Sequence, residues 1–135
     1  MPNPRVLIWL AGAVQLAMVA MNAALPPYLN TKENLAKVDP IVRQVFYSHW
    51  IFVMLAVVIF SIPCFAFSAD MAGQSALGRY LSAALAAFWL FKLWVQFFHI
   101  EANFRHKNRF ADVPVAIGTL YLIATFGAAA AGVLR

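Results

Sequence analysis

The stretch ALGRYLSAALAAFWLFKLWVQFFHIEANFRH, residues 76–106, decides how this chain is read. Up to Ile100 its only charged side chains are Arg79 and Lys92. An apolar run of that length exceeds the ~20 residues a helix needs to cross a bilayer. Lipid offers the backbone no hydrogen-bond partner, so the run is expected to be a helix. Its far end carries Lys92, Gln96, His99, Asn103 and His106. The 4-3-4-3 spacing puts all five on one stripe of a helix that continues to His106. An apolar span with one polar seam is therefore the expectation, and the seam is the first candidate for function.

The rest of the chain agrees with a lipid setting. Its 135 residues are 64% hydrophobic and 11% charged, against about 45–50% and about 25% in ordinary globular chains. Three further apolar runs stand beside the first. Val6 to Leu25 is closed by Pro26-Pro27. Ile41 to Phe67 opens on Asp39-Pro40, a cap followed by a first-turn proline. Val113 to Leu134 follows Asp112. With Ala76 to Ile100 these make four spans of one all-α transmembrane bundle. Residues 1–23 are read as a span, since the apolar run is long enough to cross and not the short core of a cleaved leader. The loop 26–40 has room for a short interfacial helix capped by Thr31. The short 68–78 link predicts that spans two and three pack as an antiparallel pair. Segment 101–112 extends span three beyond the membrane.

Charge sets the expected direction. Segments 26–40 and 101–112, with the start of span two, hold Lys32, Lys37, Arg43, Arg105, Lys107 and Arg109; the terminal side holds Arg5, Arg79 and Arg135. The excess predicts loops 1–2 and 3–4 in the cytoplasm and both termini outside, in a bacterial inner membrane. The net charge of +5 is spread over loops between spans, which excludes nucleic acid as its purpose. Arg105, Lys107 and Arg109 form a juxtamembrane patch for anionic head groups or an acidic partner. Glu101 and Arg105, four apart, are expected to pair along the extension.

Small residues supply close-packing faces, since lipid gives no hydrophobic drive between helices. Ala13, Ala17, Ala20 and Ala24 stripe span one, and Gly118, Gly127 and Gly132 stud span four. Gln15 and Asn22, seven apart on span one, share a face and are expected to join the interhelical polar contacts.

The chemistry on offer is incomplete. Cys64 is the single cysteine, which rules out an internal disulfide or a cysteine-based metal framework. There is no phosphate-binding glycine loop, nucleophile elbow or HExxH pair. No carboxylate lies inside a span, which argues against a proton-coupled transporter. His49 and His99 fall at similar depth toward one membrane face, beside Phe46, Tyr47, Trp50, Phe52, Trp94, Phe97 and Phe98. That pair can ligate haem, and a single histidine a (bacterio)chlorophyll. His106 with Glu101 or Asp112 would extend the set toward a metal site. The leading expectation is a non-catalytic accessory subunit docked on a larger energy-converting membrane complex, respiratory or photosynthetic, in contact with lipid and other membrane subunits. The alternative is a haem-, chlorin- or metal-binding redox protein or enzyme using His49 and His99.

Overall fold

Each of the first three long helices begins where the sequence supplies a cap. The Asn3 side chain accepts from the Arg5 N–H and opens α1 (Pro4–Tyr28). Asp39 accepts from Ile41 N–H and opens α3 (Pro40–Ala66); Ser75 accepts from Gly78 N–H and opens α4 (Ala76–Phe98). These oxygens satisfy first-turn donors that have no partner inside the helix. The short α2 (Thr31–Leu35) follows α1, the short α5 (Ala102–Lys107) follows α4, and α6 (Arg109–Ala130) completes the chain. The computed structural model describes residues 2–134 and is an all-α four-helix bundle, with no strand among them. Its four long helices are each long and apolar enough to cross a membrane.

Several boundaries depart from the sequence reading. α1 runs through Pro26 and Pro27 to Tyr28, and the Leu29 N–H closes it by donating to the Leu25 carbonyl at 2.9 Å. The cap of α2 is Asn30, in the left-handed region at φ 51°, and not Thr31. Span three does not continue to His106. α4 stops at Phe98, and Glu101 is extended (φ −57°, ψ 132°) before α5 begins. The break falls where the chain is exposed and freed backbone groups can turn to water. Arg105 reaches back over the break, its guanidinium 5.0 Å from the Phe97 ring and 3.5 Å from the Phe97 carbonyl. A cation is favoured at that helix end, and Arg105 serves there in place of the expected Glu101 pairing.

Packing also differs from the expected order. α1 lies against α3, α4 lies against α6, and α1 joins α6; α3 and α4 share no broad face. They meet through one edge-to-face ring pair, Phe60 with Phe88 at 5.3 Å. The reason is the 67–75 connection, which is not a tight turn. It holds a single π turn, Asp70–Gln74, whose Met71, Ala72 and Gly73 are buried. This plug packs on α1, α4 and α6. Gly78 makes that approach possible, since a Cβ there would stand 1.8 Å from the Asp70 carbonyl oxygen. Ser82 Oγ ties the plug down by donating to the Met71 carbonyl at 2.7 Å. Arg79 Nε donates to the Ala130 carbonyl at 3.1 Å and so caps the end of α6.

Side-chain pairs fix the register of α1 on α3. The Trp9 ring sits edge-on to Phe65 at 5.1 Å, and Gly12 lies under Cys64 and Phe65. Carried along both antiparallel helices, this sets Ala66 beside Leu10 and Tyr28 beside Ser48. At 1.5 Å per residue, α3 stops roughly 9 Å short of the start of α1 and overhangs its other end by roughly 12 Å. The plug fills the space above the short end. The overhang, Pro40 to Tyr47, leaves Ile41, Val42, Val45 and Phe46 exposed.

Candidate functional site

Two polar clusters lie inside the bundle, and each is built from more than one helix. The deeper one centres on Gln15, which is fully buried. Its Oε1 accepts from the Trp89 indole N–H at 3.2 Å, and its Nε2 lies 3.5 Å from Cys64 Sγ. Three helices, α1, α3 and α4, are clasped by one side chain. Gln15 is thus an interhelical contact, as its place on span one implied, but its partners are Trp89 and Cys64.

The second cluster lies nearer the loop end. Gln96 Nε2 donates to the Asp112 carboxylate at 2.8 Å and to the Asp112 carbonyl at 3.2 Å. Gln96 is 5% exposed, and its Oε1 has no hydrogen-bond partner. Asp112 stands in the first turn of α6, which begins four residues before the expected Val113. A carboxylate is favoured at a helix start, and this one is half-buried against α4. The end of a span therefore does hold a carboxylate facing the interior.

Lys92 lies one turn before Gln96 on the same face and is half-buried. It lines a cavity of about 140 Å³ between α1, α3 and α4. α1 contributes Met18, Val19 and Asn22; α3 contributes Trp50, Val53, Met54 and Val57. Phe88 and Trp89 of α4 close the wall beside Lys92. Asn22 Nδ2 donates one proton to the Met18 carbonyl at 3.0 Å, leaving its second N–H for the cavity. The cavity lies where α3 and α4 share no broad face.

The expected seam is therefore divided. Lys92 and Gln96 face the interior from α4. His99 sits at the α4 end, exposed, with its ring edge-on to Trp94 at 4.7 Å. Asn103 and His106 are exposed on the separate α5. The break at residues 99–101 removes the 4-3-4-3 stripe beyond Gln96.

His49 and His99 share a height by the register, at the loop-side edge of the helical frame, but each is engaged on its own helix. The His49 ring Nδ1 lies 2.9 Å from the Val45 carbonyl, and the ring is exposed on α3. The hollow beside it is shallow and lined by α3 alone. Among the described residues no three His, Cys, Asp or Glu side chains are grouped to hold a metal ion. Lys107 and Arg109 are exposed at the same end, where the Tyr28 hydroxyl donates to Asn108 Oδ1 and ties the two loops together.

Trp89 is the interior group that the sequence reading did not single out, and Asp112 entered it only as a possible metal ligand beside His106. Trp89 and Asp112 meet Gln15 and Gln96 across 74 and 16 residues of chain, and no periodicity within one helix reports such a meeting.

Four apolar helices around a small polar interior define a multi-pass membrane protein. The chain matches no protein-family profile, no curated protein and no solved structure.

Proposed function

We propose that the protein is a non-catalytic accessory subunit that docks, within the bilayer and at its loop-side face, on a larger energy-converting membrane complex, respiratory or photosynthetic. The observation that carries the reading is the α3 overhang. α1, α4 and α6 are 25, 23 and 22 residues long, which at 1.5 Å per residue spans the ~30 Å hydrocarbon layer with little to spare. The first two turns of α3 project past that frame, and four large apolar side chains on them have no cover within the chain. Apolar surface that projects past the neighbouring helices and is unpaired within its own fold marks an interaction site. The loops and helix starts at that end of the bundle carry Lys32, Lys37, Arg43, Arg105, Lys107 and Arg109, a basic set suited to an acidic partner surface and, on the positive-inside pattern, to the cytoplasmic side.

The test is gentle solubilisation of native membranes, with the wild type compared with Val42→Glu/Val45→Glu. Stoichiometric recovery with a defined set of membrane subunits, lost in the double variant while its helicity is kept, supports the reading. A monodisperse chain recovered alone from native membranes refutes it.

A further inference from the structure

We propose that the cavity beside Lys92 binds the carboxylate head of a single-chain amphiphile, a long-chain fatty acid taken from the bilayer. The proposal stands on the interior of this chain and does not depend on the docking reading.

The donor set selects the chemistry. Lys92 brings an ammonium, a donor with no acceptor capacity, and Asn22 a free amide N–H. Burying a cation in an apolar wall is costly unless an anion meets it. The Asp112 carboxylate, at the start of α6, is already held by Gln96 at 2.8 Å. The cavity itself presents a positive charge and apolar walls, and a carboxylate on a hydrocarbon chain complements both.

Size and access narrow the ligand further. A volume of about 140 Å³ is close to the roughly 150 Å³ of an engineered cavity that takes one benzene. It admits a carboxylate with its first few methylenes and is too small for a diacyl phospholipid head. The cavity opens at the outer surface of the bundle on the α3 side. Val53 lines the cavity yet is 56% exposed on the outer surface of the bundle. α3 and α4 meet at Phe60 and Phe88, on the terminal side of the cavity, and share no broad face. A chain entering head-first between them keeps its tail in the bilayer. Trp50 of α3 and Phe88 of α4 both line the cavity.

The experiment is equilibrium binding of radiolabelled oleate to the full chain in nanodiscs of zwitterionic lipid, corrected against empty discs. One saturable site per chain is expected, with oleyl alcohol a poor competitor. Lys92→Gln removes the charge and is expected to weaken binding about tenfold or more, the scale of a charged hydrogen bond. Because this substitution relieves a buried charge, the variant is expected to fold. Val57→Phe fills the cavity while leaving Lys92 in place, and it too is expected to lose the site. Uptake no greater than in empty discs overturns the proposal. So does equal affinity in either variant, or full competition by oleyl alcohol. If the cavity instead receives an acidic side chain from a neighbouring subunit, purified chain binds no oleate and Lys92→Gln loses a co-purifying partner; that result also overturns it.

Discussion

Gln15→Leu tests the wiring of the bundle most directly. Leucine keeps most of the volume of the fully buried glutamine and removes both of its interhelical contacts. The Sγ contact at 3.5 Å is weak, so the indole bond dominates the cost. Trp89 is 2% exposed, so its N–H would be left unpaired away from water. In soluble proteins an orphaned buried donor costs about 1–3 kcal/mol. Between membrane helices the measured values average ~0.6 kcal/mol and reach ~1.7, because the unfolded chain in lipid also finds partners. A complete burial with a 3.2 Å bond argues for the upper part of that range, about 1–1.7 kcal/mol. Trp89→Phe removes the same N–H from the other side and adds a loss of packing volume. The double variant should therefore cost about 1 kcal/mol less than the sum of the singles. The assay is reversible unfolding by SDS from mixed micelles, followed by far-ultraviolet circular dichroism. Additivity to within about 0.3 kcal/mol, or a Gln15→Leu variant as stable as wild type, would show that the clasp contributes nothing.

Four more outcomes follow from the packing. Gly78→Ala sets a methyl 1.8 Å from the Asp70 carbonyl oxygen. The cost should exceed the usual ~1–3 kcal/mol of overpacking, whereas Gly127→Ala, with open space at its Cβ, should gain about 0.5–1 kcal/mol of helix propensity; thermal denaturation in detergent reads both. Ser82→Ala leaves the Met71 carbonyl without its 2.7 Å donor and should cost about 1 kcal/mol, with amide exchange accelerated most at residues 67–75. Cys64 is fully buried beneath Gln15, so a maleimide should label it only at the rate at which the bundle opens. Prompt labelling in native micelles would contradict that packing.

The four helices were legible because an apolar run longer than a bilayer has one solution, and because Asp39 and Ser75 announce their helices by residue type. The end of α4 was not legible. Residues 99–101 contain neither Pro nor Gly, and the break depends on solvent reaching the backbone and on Arg105 folding back to Phe97. The same limit applied to the site. The spacing identified Lys92 and Gln96 as one face, and both do face the interior. It did not reveal that Asp112 meets Gln96, because that pairing is made by the packing of α6 on α4. The short 68–78 link predicted that spans two and three pack as a pair, whereas its residues fold inward as the plug, whose backbone comes too close to Gly78 for any Cβ there.

That plug also accounts for the shape of the rest. With Met71 and Ala72 buried among α1, α4 and α6, the chain must spend residues 67–75 inside the frame before α4 can begin. α3 is consequently displaced toward the loop side by about the rise of six to eight residues. Its short end is covered by the plug and its long end is left uncovered. The displacement has a second effect at mid-height. Against α1, α3 still finds small partners such as Gly12. Against α4 it makes one ring pair and no broad face, and the Lys92 cavity lies between these two helices and α1. The overhang and the cavity are thus two consequences of one packing decision made at the opposite end of the bundle. A change that loosens the plug, Ser82→Ala for example, should therefore alter the Lys92 cavity about 15 Å of helix rise away, whereas a change at Lys92 leaves the plug as it is.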